Sequence, residues 1–103
     1  EVVQRVVEKA ASLRCPLVVH AEDYEECACG IKKAKEKNLD GLPAWSKSRP
    51  TESESKSIKT ISKFARDSNC ILYFAHIGSR RALEQINEEK KNGTKILTET
   101  CPH

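Results

Sequence analysis

The chain has 103 residues, 32% of them charged and 38% apolar, with a formal net charge of +3. That length holds one small domain with one modest core. The mild charge and the 5% aromatic content speak against a basic, base-stacking nucleic-acid surface, and no apolar run approaches the roughly 18 residues of a membrane span.

The predicted elements alternate. Residues 2–13 place Val2, Val3, Val6, Val7, Ala10, Ala11 and Leu13 on one stripe of an amphipathic helix, with Pro16 beyond its end. The mixed charges of this stretch set it apart from a signal peptide. "PLVVH" (16–20) is short, apolar and β-branched, as expected of a strand covered on both faces. Residues 23–38 read as a second helix, with Asp23 as N-cap and Asn38 and Gly41 as stop signals. Residues 39–50, "LDGLPAWSKSRP", read as a loop or irregular crossover, with Trp45 packed beneath it. Thr51 then opens a T-x-x-E capping box with Glu54, and Ile58, Ile61, Phe64 and Ala65 stripe the helix that follows. "CILYFAH" (70–76) is a second buried strand, residues 79–93 a helix between Ser79 as N-cap and Gly93 as terminator, and "KILTET" (95–100) a third strand. Strands separated by helices predict a parallel α/β sheet.

Five cysteines, at 15, 27, 29, 70 and 101, are too scattered for a secreted disulfide framework, and we expect reduced thiols in a cytoplasmic protein. Cys27 and Cys29 lack the second Cys/His pair that a structural zinc site needs. The sequence has no methionine and ends at "ETCPH", directly after an apolar run. We therefore expect residues 1–103 to be one segment of a larger domain.

Two apolar strands end in a histidine followed by a polar turn: His20 before "AED" and His76 before "IGS". Functional groups of parallel α/β folds gather at the carboxyl ends of strands. Two imidazoles there can share a metal ion, although two donors do not complete a zinc site. A strand-end histidine is also commonly a hydrogen-bonded structural residue, and the pattern alone leaves both readings open.

"VVHAED", "AWSKSRPTESE", "LYFAHIGS" and "ILTETCPH", in this order and spacing, resemble the cyclic amidohydrolases, the group of dihydroorotases, allantoinases and dihydropyrimidinases. The resemblance covers essentially the whole chain and implies part of a (β/α)8 TIM barrel, from the helix after strand five's predecessor to the end of strand seven. It implies metal-dependent hydrolysis of a cyclic amide C–N bond, usually at a two-metal zinc centre. His20 matches the metal ligand of the fifth strand and His76 that of the sixth, both serving the more exposed second metal. The family's His-x-His pair, carboxylated lysine and catalytic aspartate match nothing here and are expected outside residues 1–103, so no catalytic residue is assigned within them. The parent would act on a small cyclic amide, as a homo-oligomer independent of membranes and nucleic acid, and the isolated chain would be inactive. Gly78 stands where relatives commonly carry serine, and is expected to ease a tight turn.

Other residues have functional and structural readings side by side. Arg49 and Arg80 are candidates to face an anionic substrate group; each also reads as a loop brace or solvated charge. Glu22, Ser79 and His103 are candidates to orient the ligands by hydrogen bonds. The alternative from another class is a non-catalytic barrel relative serving in assembly, against which both retained histidines argue. A third is a small α/β domain without metal.

Overall fold

The computed structural model describes residues 2–102. His103 lies outside the described residues. In chain order the elements are α1 (Val2–Ser12), β1 (Leu17–Val19), α2 (Tyr24–Glu36), α3 (Gly41–Ser48), α4 (Thr51–Ser68), β2 (Ile71–Phe74), α5 (Arg80–Lys91) and β3 (Lys95–Thr98).

The three strands form one parallel sheet in the order β1-β2-β3, with Val19 opposite Phe74 and Phe74 opposite Thr98. Alternate residues therefore point to alternate faces. Val19, Leu72, Phe74 and Ile96 are buried and join Val7, Ile58, Ala65, Ala82 and Ile86 from α1, α4 and α5 in one core. Each of the valine, leucine, isoleucine and phenylalanine side chains among them contributes about 1.5–3 kcal/mol by leaving water. The opposite face is bare: Val18 is 67% and Leu97 54% exposed. Within the described residues the strands are covered on one face, because α1, α4 and α5 all pack on the same side; the apolar residues of the other face have no partner in this segment. The Cα radius of gyration of 14.9 Å exceeds the roughly 13 Å of a closed 100-residue domain, as an open slab should.

Most helix ends follow their sequence signals. The Asp23 side chain accepts from the Glu26 N–H and caps α2; Ser79 accepts from the Ala82 N–H and caps α5. Asn38 takes φ 50° just past α2 and Gly93 φ 93° just past α5, each closing its helix in the left-handed conformation that these residues favour.

Two expectations in the middle of the chain fail. The crossover at 39–50 contains α3, whose Pro43 sits in its first turn, where no intrahelical N–H is needed. And α4 begins at Thr51 with Pro50, φ −67° and ψ 147°, as N-cap, so Thr51 is already helical and Glu54 is released from the predicted capping box. The cause is the proline ring: Pro50 is fixed in an extended conformation that enters the helix one residue earlier. Gly30 explains how α3 fits. A Cβ there would lie 2.7 Å from the Lys47 carbonyl oxygen and 2.8 Å from that of Ser48, so α2 and α3 meet backbone to backbone only because residue 30 has no side chain.

Candidate functional site

His20 and His76 meet just beyond the carboxyl ends of β1 and β2. The Nδ1 atom of His20 lies 3.1 Å from Nε2 of His76, and the ring centroids are 4.9 Å apart. The register does not produce this by itself. The Ala75 N–H donates to the Val19 carbonyl at 3.0 Å, so His20 lies level with Ala75, and regular alternation would turn His76 to the other face. His76 instead adopts φ 40°, which breaks the alternation and turns its ring towards His20. A non-glycine residue on the left-handed side sacrifices about 1–2 kcal/mol, and such strain persists only where the surroundings impose it. The conformational freedom expected of Gly78 is thus used two residues earlier.

The His20 ring is held from its far side. Its Nε2 lies 3.4 Å from Oε2 of Glu22, whose Oε1 accepts from the Arg49 Nε at 3.0 Å. The Arg49 guanidinium covers the Trp45 ring at 3.9 Å from its centroid, a cation–π contact. Trp45 is 60% exposed, so it does not pack beneath the crossover; it is the platform for Arg49. In the tautomer that places Nε2–H towards Glu22, the His20 Nδ1 is a bare acceptor. Below this chain, Lys56 binds Asp23 at 3.1 Å and Glu26 at 3.2 Å. Burial alone would raise the Asp23 carboxyl, but the Glu26 N–H and the Lys56 ammonium outweigh it and hold the group below the usual carboxylate range.

The His76 loop is held through its backbone. The Ile77 N–H donates to the Glu99 carbonyl at 2.9 Å, and the Thr100 hydroxyl to the Ile77 carbonyl at 2.8 Å. From α4, Glu54 accepts the Gly78 N–H at 3.0 Å with Oε1 and the Ser79 hydroxyl at 2.7 Å with Oε2. Glu54 is the residue that sequence reading misplaced. The i,i+4 spacing of Trp45 and Arg49 could have revealed their contact had α3 been recognised as a helix; no local signal links Glu54 to residues 78 and 79.

These groups line one cavity of about 240 Å³, bounded by His20, Glu22, Arg49, Glu54, His76 and Ser79. A larger groove of about 530 Å³ runs from His20 along β1 to Val2, Val3 and Val6; its lining is mainly apolar and holds one histidine of the two. Arg80 stands apart: its side chain is 92% exposed and pairs with Glu84 at 2.9 Å, while Arg81 pairs with Glu52 at 2.7 Å.

The pair suits a metal in spacing and chemistry. Two nitrogens each 2.0–2.1 Å from one zinc at a tetrahedral angle lie about 3.3–3.4 Å apart, close to the 3.1 Å found. Two donors are the limit here: among the described residues no group of three or more His, Cys, Asp or Glu side chains is placed to hold a metal ion. Without metal, and in that His20 tautomer, the same contact is a hydrogen bond that His76 Nε2–H donates to His20 Nδ1.

No family model matches the sequence. The allantoinase of Bacillus velezensis is 40% identical over 60 residues, which are 58% of this chain and 13% of that protein. The allantoinase of Solibacter usitatus is 33% identical over 95 residues, 92% of this chain and 21% of that protein. A D-hydantoinase from a Bacillus sp. AR9 is 25% identical and superposes with a TM-score of 0.88 over 97% of this chain and 22% of its own. A dihydropyrimidinase from Brevibacillus agri, at 23% identity and a TM-score of 0.88, shares the fold over 97% of this chain and 22% of its own. The chain spans about a fifth of the length of most of these relatives.

Proposed function

As a segment of the cyclic amidohydrolases, built on part of their (β/α)8 barrel, this chain brings together a histidine pair that we propose ligates a metal ion, in a parent that hydrolyses a cyclic amide C–N bond. One observation carries the reading: ring nitrogens from two adjacent strand ends lie 3.1 Å apart, at the end of the sheet where such folds do chemistry. The relatives support the substrate class, since those matched in sequence are allantoinases and those matched in structure include a D-hydantoinase and a dihydropyrimidinase.

When bound, a zinc-like ion supplies Lewis acidity towards the amide carbonyl and a water of lowered pKa. The chain's own part is to present donors. His20 offers Nδ1 because Glu22 takes its Nε2–H, and Arg49, braced on Trp45, keeps Glu22 in place. His76 offers Nε2 because its loop turns the ring back towards His20. Arg49 is committed to Glu22 and Trp45 rather than free for an anionic substrate, and Arg80 lies outside the cavity. The remaining donors and the proton-transferring aspartate belong to the parent. We place that parent in the cytoplasm, as a homo-oligomer acting on a ureide such as allantoin, dihydroorotate or a hydantoin.

The test is made in two settings. In a complete barrel carrying this segment, His20→Ala and His76→Ala are each expected to lower kcat/KM on a cyclic ureide by at least about a hundredfold and to lower bound metal, read by elemental analysis. Wild-type metal content in both variants would sink the ligand role. The 103-residue chain alone is expected to hydrolyse no cyclic ureide, and turnover by it would overturn the division of labour proposed here.

A further inference from the structure

We infer that Glu54 is a positioning residue for His76, setting the separation of the two rings from a helix that neither ring belongs to. The inference rests on the His20–His76 pair being the site; it does not require a metal.

His76 is the one residue of the pair whose backbone is strained, at φ 40°, and the strain is what turns its ring towards His20. Something must keep the loop from relaxing into the extended path that alternation favours. The residue before His76 is tied to β1 and the residue after it to Glu99. Those two bonds, with the 2.8 Å bond from the Thr100 hydroxyl to the Ile77 carbonyl, fix the loop from its start as far as Ile77. They leave open the direction taken by Gly78 and Ser79, which determines how sharply the chain must turn at His76. Glu54 settles that direction by accepting from both residues at once, at 3.0 and 2.7 Å. A carboxylate meets two diverging donors with its two oxygens, and charged acceptors make stronger bonds than neutral ones. The site is also where an anion is favoured, beside the first turn of α5. The same carboxylate lines the cavity that contains both rings.

A rival account is that Glu54 simply fastens α4 to α5. Glu52 provides the control, because its 2.7 Å bond to Arg81 joins the same two helices without touching the loop.

The experiment is NMR, without added metal, on a complete barrel carrying this segment with residues 1–103 isotopically labelled. The wild type is expected to show NOEs between the two imidazole rings, the strong intraresidue HN–Hα NOE of a positive φ at His76, and a slowly exchanging Gly78 amide. Glu54→Ala is expected to lose the ring-to-ring NOEs and the His76 signal, and to speed Gly78 exchange by about tenfold, the worth of one hydrogen bond. Glu54→Asp, which keeps the charge but withdraws it by one methylene, should also lose the ring contacts and serves if Glu54→Ala fails to fold. Glu54→Gln, which keeps an acceptor for Gly78, should restore them in part, and Glu52→Ala should leave them intact. Ring-to-ring NOEs that persist in a folded Glu54→Ala or Glu54→Asp overturn the inference, as does their loss in Glu52→Ala. Because no metal or turnover is read, failure here is separate from failure of the ligand reading.

Discussion

His20 and His76 stand at the ends of neighbouring strands and point at one another, yet the chain secures them by different means. His20 has ordinary backbone geometry and is steered through its ring, by a line of side chains from Glu22 to Arg49 to Trp45. His76 is steered through its backbone, by hydrogen bonds to Ile77, Gly78 and Ser79 and a φ of 40°. The difference teaches that a matched pair in sequence need not be a matched pair in structure. Two strands one residue out of step need one ring to be turned against the pleat, and the strained residue is the one whose loop has the more bonds to hold it.

Perturbations that touch both ends, or one end alone, put that contrast to the test. Phe74→Ala should have the largest effect. Phe74 is fully buried and lies opposite Val19, the residue before His20. Its loss is expected to destabilise the fold by about 3–5 kcal/mol and to loosen both rings together, read as a lowered urea midpoint with loss of both sets of ring contacts. Gly30→Ala comes next. Forcing α3 away from α2 should cost about 1–3 kcal/mol and shift Arg49, so that the Glu22 contact weakens while the Gly78 amide keeps its protection. Equal disturbance at both loops would contradict the contrast.

Ser79→Ala is the converse. Loss of the α5 cap should cost about 1 kcal/mol in chemical denaturation, and its spectral changes should centre on residues 76–82 and leave Glu22 and Arg49 in place. The smallest effect is a pH dependence confined to the His20 side. The Asp23 carboxyl, which burial would raise but the Glu26 and Glu25 N–H groups and the Lys56 ammonium hold below its usual range, contributes stability that is present in full above the unfolded value of about 3.9. That contribution is lost as pH falls through the lower folded value. Lys56→Met should flatten the acid limb of the stability curve, and an unchanged limb would remove Asp23 from the account.

Much of this was legible in the sequence. Among the described residues, every strand, four of the five helices, the two side-chain caps at Asp23 and Ser79, and the strand-end histidines His20 and His76 were written as local patterns: apolar runs, a 3.6-residue stripe, a capping residue before it. What escaped was non-local or reversed a local signal. α3 hid behind Gly41 and Pro43, breakers that are harmless in a first turn. Glu54 matched a capping box so well that its true partners, 24 and 25 residues away, were invisible. The offset of one residue between the strands is a property of their pairing, which neither strand encodes alone, so the turn at His76 could not be read from "AHIGS". The helix-facing side of each strand was legible as apolar, and so was the other side, which has no cover within this segment.

That uncovered side has a consequence for the chain in a test tube. β1 and β3 are both edge strands, each offering a row of backbone donors and acceptors, and beside them lie Val18, Ile71 and Leu97, all exposed. An apolar face flanked by two edge strands is a template for polymerisation. Lys95, exposed at the start of β3, sets a charge against stacking at one edge; β1, whose described residues are Leu17, Val18 and Val19, has no such guard. Self-assembly should therefore begin at β1, and a lysine at position 18 should raise the concentration at which the chain stays monomeric.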